Sequence, residues 1–456
     1  MSTDMDGIYQ QSLFAKAASI SVHVSEQNRY RVLADVLPWT EMADVANSYR
    51  SQKVSIVNGR PLDMRLHLGA YVGQSMNNWT DRETEEMIRL HAGVRVLCGI
   101  QDSTESLDRT SIEKFRNIIG PDGAEELNSV IVRAAVGAGF TGSEICSSDT
   151  TVQEAPIQHP TEVGHMKKIT EKLIGIGKKI GGKVAKTIKD LGTKAQRIFT
   201  EIRLFTRGKH ASAVEAKKKL SKEMHDMIKK MLDAVQTERG NLSKKLQERF
   251  NPKIKLYDLM LKQIIQWINT GVHPAGKLIS LWNMQARAIT RNKAAKMTEF
   301  GRRWLITRLM GGYVIGSPCH KLGGDADVKI ADEVLINFLN AMGEVPENFI
   351  FDRGGDGEKN HAILKNVGVK NNCIFPKGPK EKMNVAPGVF EMARRERALS
   401  EASIATIKHN KYGFNKPRAR LTESCITKGQ TAMFGFNINH LFNDLSQMGM
   451  VALETT

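Results

Sequence analysis

The sequence predicts an α/β protein: a mixed sheet interrupted by a large helical insertion and preceded by an all-helical N-terminal domain. Three observations carry that prediction. Two short apolar runs, in SEICSSDTT and in NFIFD, each lead to an aspartate, Asp149 and Asp352. The stretch RALSEASIATIK, Arg397 to Lys408, has no glycine or proline and a helix-forming composition. Between the two aspartates lies a long block with apolar residues every three or four positions and a marked excess of lysine and arginine.

Composition narrows the setting. The 456 residues carry a net charge of +17. Residues 161–300 hold 31 basic and 12 acidic side chains, a net of +19, so the remainder is close to neutral at −2. A concentrated positive block predicts a polyanionic partner, and nucleic acid is the natural one. A basic surface serving solubility or anionic lipid is the plainer reading; few aromatics suit a membrane interface there. The opening MSTDMDGIYQ has two aspartates and no apolar core, so no signal peptide is expected. No apolar run has the length of a membrane span. Five scattered cysteines without a CxxC argue for a reducing cytoplasm and against disulfides or a zinc knuckle. Cys319 and His320 are adjacent, but no second ligand pair sits at metal spacing, and they read as structural.

Residues 1–142 read as short helices. A turn is expected at Gly59-Arg60-Pro61 and a helix from about Asp63 to Met76. Thr80 with Glu83, and Thr110 with Glu113, have the spacing of capping boxes. A further helix follows Gly123. Such helices suit a DNA-binding helix-turn-helix or a plain scaffold, and no recognition helix stands out. From residue 143, SEICSSDTTVQEAPIQHPTE reads as two short extended runs, with Asp149 ending the first. Helical text then runs from about 166 to 300, weakened by Gly175, Gly177, Gly181 and Gly182. Strands return in WLITRLMGGYVIGSP, then a helix in DADVKIADEVLINFLNAMG, the strand ending at Asp352, a helix in KNHAILKNVGV and a strand in NNCIFPKG. The Arg397–Lys408 helix and an amphipathic closing helix complete the chain.

On that penultimate helix, Arg397 lies roughly 40° and Lys408 roughly 20° from Glu401. One face thus carries a carboxylate between two cations, which keeps it ionised and leaves the cations to meet phosphate. Ordinary surface ion pairs have the same spacing. Together with Asp149 and Asp352, Glu401 makes three carboxylates able to hold two divalent ions roughly 3.5–4 Å apart for phosphodiester chemistry. Oxygen-only ligands favour Mg²⁺ or Mn²⁺ over zinc.

These blocks resemble those of the DDE transposases of bacterial insertion sequences. DTTVQEAPIQHPTE is similar to the first block, IFDRGGDGEKN to the second, and R-x3-E-x6-K, with Arg397, Glu401 and Lys408, to the core of the third signature. NGRPLDMRLHLG is similar to part of the helical domain that precedes the catalytic core in one branch. The resemblance implies an RNase H-like core with Asp149, Asp352 and Glu401 as catalytic metal ligands for two Mg²⁺ ions, Mn²⁺ being the alternative. It implies Arg397 and Lys408 as contacts to phosphates near the element end. It implies cleavage of double-stranded DNA at that end and joining of the 3′ hydroxyl to target DNA. A bacterial cytoplasmic setting on the nucleoid and at least a dimer on DNA follow from the same resemblance. Arg394, Arg353, Lys167, Lys168, Lys178 and Lys179 are further DNA-contact candidates.

The chain departs from the family pattern at Arg394, where a tyrosine is usual, and at Gly355, where an aromatic is usual. Asp356 competes with Asp352 as second ligand, and Glu391 and Glu396 compete with Glu401 as third. Asp352 is preferred because it ends an apolar run, Glu401 because of its Arg and Lys spacing. The 203 residues from Asp149 to Asp352 exceed what such a core needs, so the basic block reads as an insertion that grips DNA. An inactive RNase H-like DNA-binding protein, a nuclease without strand transfer, and a helical polyanion-binding protein remain the alternative readings.

Overall fold

The computed structural model describes residues 24–53, 62–100, 105–205, 210–293, 296–319, 330–378 and 383–449. The expected turn at Gly59-Arg60-Pro61, the start MSTDMDGIYQ, His320 and the first residues of DADVKIADEVL lie outside them.

Six helices open the described chain: α1 (Arg29–Val36), α2 (Trp39–Lys53), α3 (Met64–Asn77), α4 (Asp81–Leu90), α5 (Ala92–Leu97) and α6 (Arg109–Gly137). Helix α3 starts where Asp63 accepts a hydrogen bond from the Leu66 amide and stops at Asn78 in the left-handed region, φ 52°. The Thr80–Glu83 capping box forms at the head of α4. The expected box at Thr110–Glu113 does not. Asp108 caps α6 instead, accepting from the Thr110 and Ser111 amides. A carboxylate two positions earlier satisfies two amides and meets the positive helix end, which a hydroxyl at Thr110 cannot match. The separate helix expected after Gly123 is the second half of α6, bent at Gly120 (φ 66°) and Pro121.

Strand β1 (Ile145–Glu154) follows, then four long helices: α7 (Glu162–Ile180), α8 (Gly182–Leu204), α9 (Ala211–Glu238) and α10 (Lys244–Thr270). Their apolar stripes, including Met166, Leu173, Ile188, Ile228, Leu232 and Ile264, close into a core separate from that of the sheet. The chain returns through β2 (Arg287–Lys293), β3 (Lys296–Leu309), β4 (Val314–Pro318), α11 (Ala331–Met342), β5 (Asn348–Phe351), α12 (Glu358–Val367), β6 (Asn371–Ile374), α13 (Pro387–Ile407) and α14 (Thr422–Gln447). Strand β2 and the start of β3 replace the helix expected up to about 300. Arg287 to Thr290 are already paired with Gly301 to Thr298.

The six strands form one mixed sheet in the order β2-β3-β1-β5-β6, with β4 beside β2 along β3. Strand β3 is antiparallel to β1, β2 and β4, while β5 is parallel to β1 and to β6. The mixed sheet is as expected, its strand order is consistent with an RNase H-like core, and the helical bundle follows its first strand. The described helices of 1–142 share their core with the sheet. Leu68, Val72 and Ile131 belong to one buried cluster with Leu305, Phe349 and, on α14, Phe434 and Ile438. Helix α14 is buried nearly all round, as a central helix should be. Gly435 permits that, since a Cβ there would stand 2.2 Å from the Ser75 carbonyl oxygen of α3. The opposite face of the sheet carries α13, through Ile145, Ile350 and Ala393 at one end and Ile306, Ile404 and Ile407 at the other.

Candidate active site on the face shared by β1, β5 and α13

The parallel register of β1 and β5 pairs Ile145 with Asn348, Cys146 with Phe349 and Ser147 with Ile350. Continued by two residues, it sets Asp149 beside Asp352. Side chains alternate along a strand, so Asp149 shares a face with Ile145 and Ser147, and Asp352 with Ile350. That is the face under α13, where Ile145 and Ile350 pack on Ala393. Asp149 does not end a strand, contrary to the sequence reading. It is the fifth of ten residues in β1, because Thr150 to Glu154 continue to pair with β3. What ends there is the parallel neighbour: β5 stops at Phe351, and the sheet opens beside Asp149.

Both carboxylates are partly accessible. Asp149 accepts from the Thr150 amide at 2.7 Å. Asp352 has extended backbone and accepts from the Gly354 amide at 2.9 Å, which holds it at the strand end. Its rival Asp356 is engaged elsewhere. It bonds His361 Nε2 at 2.8 Å and the Lys377 amide at 2.9 Å, and the His361 bond above all holds its carboxyl below the usual range. Gly355 stands where an aromatic was expected because the Phe351 ring fills that place; a Cβ on Gly355 would come within 2.5 Å of it.

Helix α13 runs along β1 on this face. The Ser400 hydroxyl donates to the Ser147 carbonyl at 3.3 Å, and Lys408 Nζ donates to Thr151 Oγ1 at 3.2 Å. The helix therefore passes Asp149 between Ser400 and Lys408. Glu401 follows Ser400 by one residue, about 1.5 Å further along the axis. Its side chain is exposed and takes a hydrogen bond from Arg397 Nη2 at 3.2 Å. The Arg397 guanidinium also sits 5.2 Å from the centre of the Phe375 ring, just after β6. Arg397, Glu401 and Lys408 thus share one flank of α13, with Lys408 meeting β1 and Glu401 paired with Arg397. Glu396 is different. It is buried, and it takes a hydrogen bond from Arg308 of β3. Burial lowers the Arg308 guanidinium pKa, opposed by the Glu396 charge. Glu391 is exposed beside Arg394.

The two aspartates are therefore neighbours, while Glu401 is turned toward Arg397. Among the described residues, no group of three or more His, Cys, Asp or Glu side chains is gathered closely enough to hold a metal ion. Arg353, Arg394, Lys178 and Lys179 are exposed. Lys167 pairs with Glu171 at 3.9 Å, and Lys168 lies 5.8 Å from the Trp282 ring centre. Ser147 and Thr151, which seat α13 on either side of Asp149, were not singled out from the sequence. Alternation from Asp149 was the signal that marks them. All five cysteines are buried and none is joined in a disulfide, and no described helix is long and apolar enough to cross a membrane.

Comparison with known proteins finds similarity over parts of the chain. A protein of Rhizobium meliloti described as "Uncharacterized protein ORF8 in nfe locus" is 27% identical over 169 residues, which are 36% of this chain and 79% of that protein. No solved structure matches. Residues 18–117, which include helices α1 to α5, match the family described as "Transposase domain (DUF772)". Over that stretch the chain is thus similar to proteins that carry this transposase domain.

Proposed function

We propose that the chain is a DDE-type transposase that binds the ends of an insertion sequence, cleaves the phosphodiester there and joins the 3′ hydroxyl to target DNA. The observation that carries this reading is the register of β1 and β5. It brings together two aspartates 203 residues apart, on the face crossed by the helix of Arg397, Glu401 and Lys408.

The donor set fits a hard divalent ion, since Asp149, Asp352 and Glu401 offer only carboxylate oxygen. Asp149 and Asp352 would hold it from the sheet. Glu401 would complete the set from α13; its surface pair with Arg397 is worth only about 0.3–0.5 kcal/mol, a small barrier to re-aiming. Held by these carboxylates, Mg²⁺ or Mn²⁺ would supply Lewis-acid activation of water and charge neutralisation at the phosphoryl group. Arg397 and Lys408 bind the phosphates on either side of the scissile bond and orient the strand. The buried Ser147–Ser400 contact keeps α13 in place while they do so.

The test is cleavage and strand transfer on a duplex carrying the element's own end, with Mg²⁺ or Mn²⁺. Asp149→Asn, Asp352→Asn and Glu401→Gln should each lower both reactions by at least about a hundredfold, with DNA binding retained. Full activity in Asp352→Asn, with loss in Asp356→Asn, would overturn the second ligand. End binding by the wild type without any cleavage would favour a DNA-binding protein that keeps only the fold.

A further inference from the structure

Where β1 gives way to α7, the chain passes Pro156 and Pro160, and after α10 it returns past Trp282. Between these two crossings lies a cavity of about 420 Å³. Its polar lining includes His159, Thr161, His165, Lys168, Asn283 and Arg420, and no lining residue is acidic.

His165 is the informative one. It is 5% exposed, and neither ring nitrogen finds a hydrogen-bond partner among the described residues. Buried polar groups are rarely left so, because an unmet one bears its full desolvation penalty. Burial, with Lys168 adding to it, pushes its pKa down to about 4. The imidazole is therefore neutral near pH 7 and offers one N–H donor and one acceptor.

The charge around it is positive. Lys168 stands one turn further along α7, and Arg420 is exposed at the rim. Lys168 and Lys172 Nζ lie 5.8 and 5.4 Å from the Trp282 ring centre, so the indole face holds two ammonium groups beside the cavity. That leaves the ring occupied and disfavours a stacked base. The Glu162 carboxylate, which acts electrostatically on His165, is bound to Lys277 and stands 3.6 Å from His273. The first turn of α7, capped by Thr161, adds its positive dipole end.

We propose that this cavity binds a phosphate group through His165, Lys168 and Arg420. Under the transposase reading the phosphate is a DNA phosphodiester, and this part rests on that reading. The cavity joins the insertion to the sheet, so a strand held there would be fixed at the root of the basic bundle. A free phosphate ester is the other source with the same chemistry.

The experiment is calorimetric titration of the full chain with inorganic phosphate in a chloride buffer. One saturable equivalent is expected. Its affinity should fall at least tenfold in the Lys168→Ala/Arg420→Ala double variant and in His165→Phe. The double variant changes one exposed and one half-buried cation, so it carries the test if His165→Phe does not fold. Competition by a duplex oligonucleotide assigns the site to DNA, and competition by adenosine monophosphate alone assigns it to a free ester; either result upholds a phosphate site. Heat that never saturates, or equal affinity in wild type and variants, overturns it. Asp149→Asn should leave the titration unchanged, so this site and the catalytic reading fail separately.

Discussion

Two glutamates on one helix, five residues apart, have opposite surroundings. Glu396 is a partner in a buried ion pair: its side chain is 6% exposed and that of Arg308 is 11% exposed. Breaking such a pair from one side leaves a charge uncompensated. Glu396→Gln is therefore expected to destabilise the fold by about 3–5 kcal/mol, read as a lower midpoint in urea. Replacing both partners with apolar residues of similar volume should recover most of that. Glu401→Gln, with its side chain 57% exposed, should leave the midpoint nearly unchanged. A Glu396→Gln variant as stable as wild type would release Glu396 to compete as an acid of the site. The sequence prefers Glu401 for its Arg397 and Lys408 spacing. The burial of Glu396 was not legible there, because its partner Arg308 lies on β3, 88 residues away.

At the scale of elements, the helical bundle is the most separable part. Its core shares no residue with the core under the sheet, and the cavity at its root places its two crossings side by side. Replacing residues 162–277 with a short Gly/Ser linker is expected to leave a cooperatively folding remainder, with DNA affinity reduced. Loss of cooperative unfolding in that variant would show that the sheet needs the bundle. The helices themselves were legible from their apolar period. Strand β2 was not: RAITRNK mixes β-branched residues with cations, and the Ala-Lys text after it favours a helix. Pairing with β3 decided the outcome, as tertiary context often does. The cap at Asp108 was missed for a local reason, since two competing capping groups stood two residues apart.

For the whole molecule, the positive charge is concentrated in one stretch, apart from the proposed catalytic residues. Residues 161–300 carry +19 while the rest carries −2, so affinity for DNA should come mainly from the bundle. If about six phosphates are contacted, the logarithm of the affinity should fall with the logarithm of salt at a slope near −5. The linker variant should lose most of that slope; an unchanged slope would move the contacts elsewhere. The mixed sheet was legible from its strand signals and from the motifs they carry. The agreement between the spacing of Asp149 and Asp352 and the β1–β5 register was not, because nothing local reports a pairing across an inserted bundle. That insertion also orders events in time. Strand β1 leaves the ribosome first, yet its two neighbours, β3 and β5, begin at Lys296 and Asn348. At roughly 5–20 residues per second, β1 waits on the order of ten seconds or more with both edges unpaired. Meanwhile the bundle can fold from contacts within itself. Nascent chains of this protein should therefore depend on chaperone cover for β1 until β5 has been made.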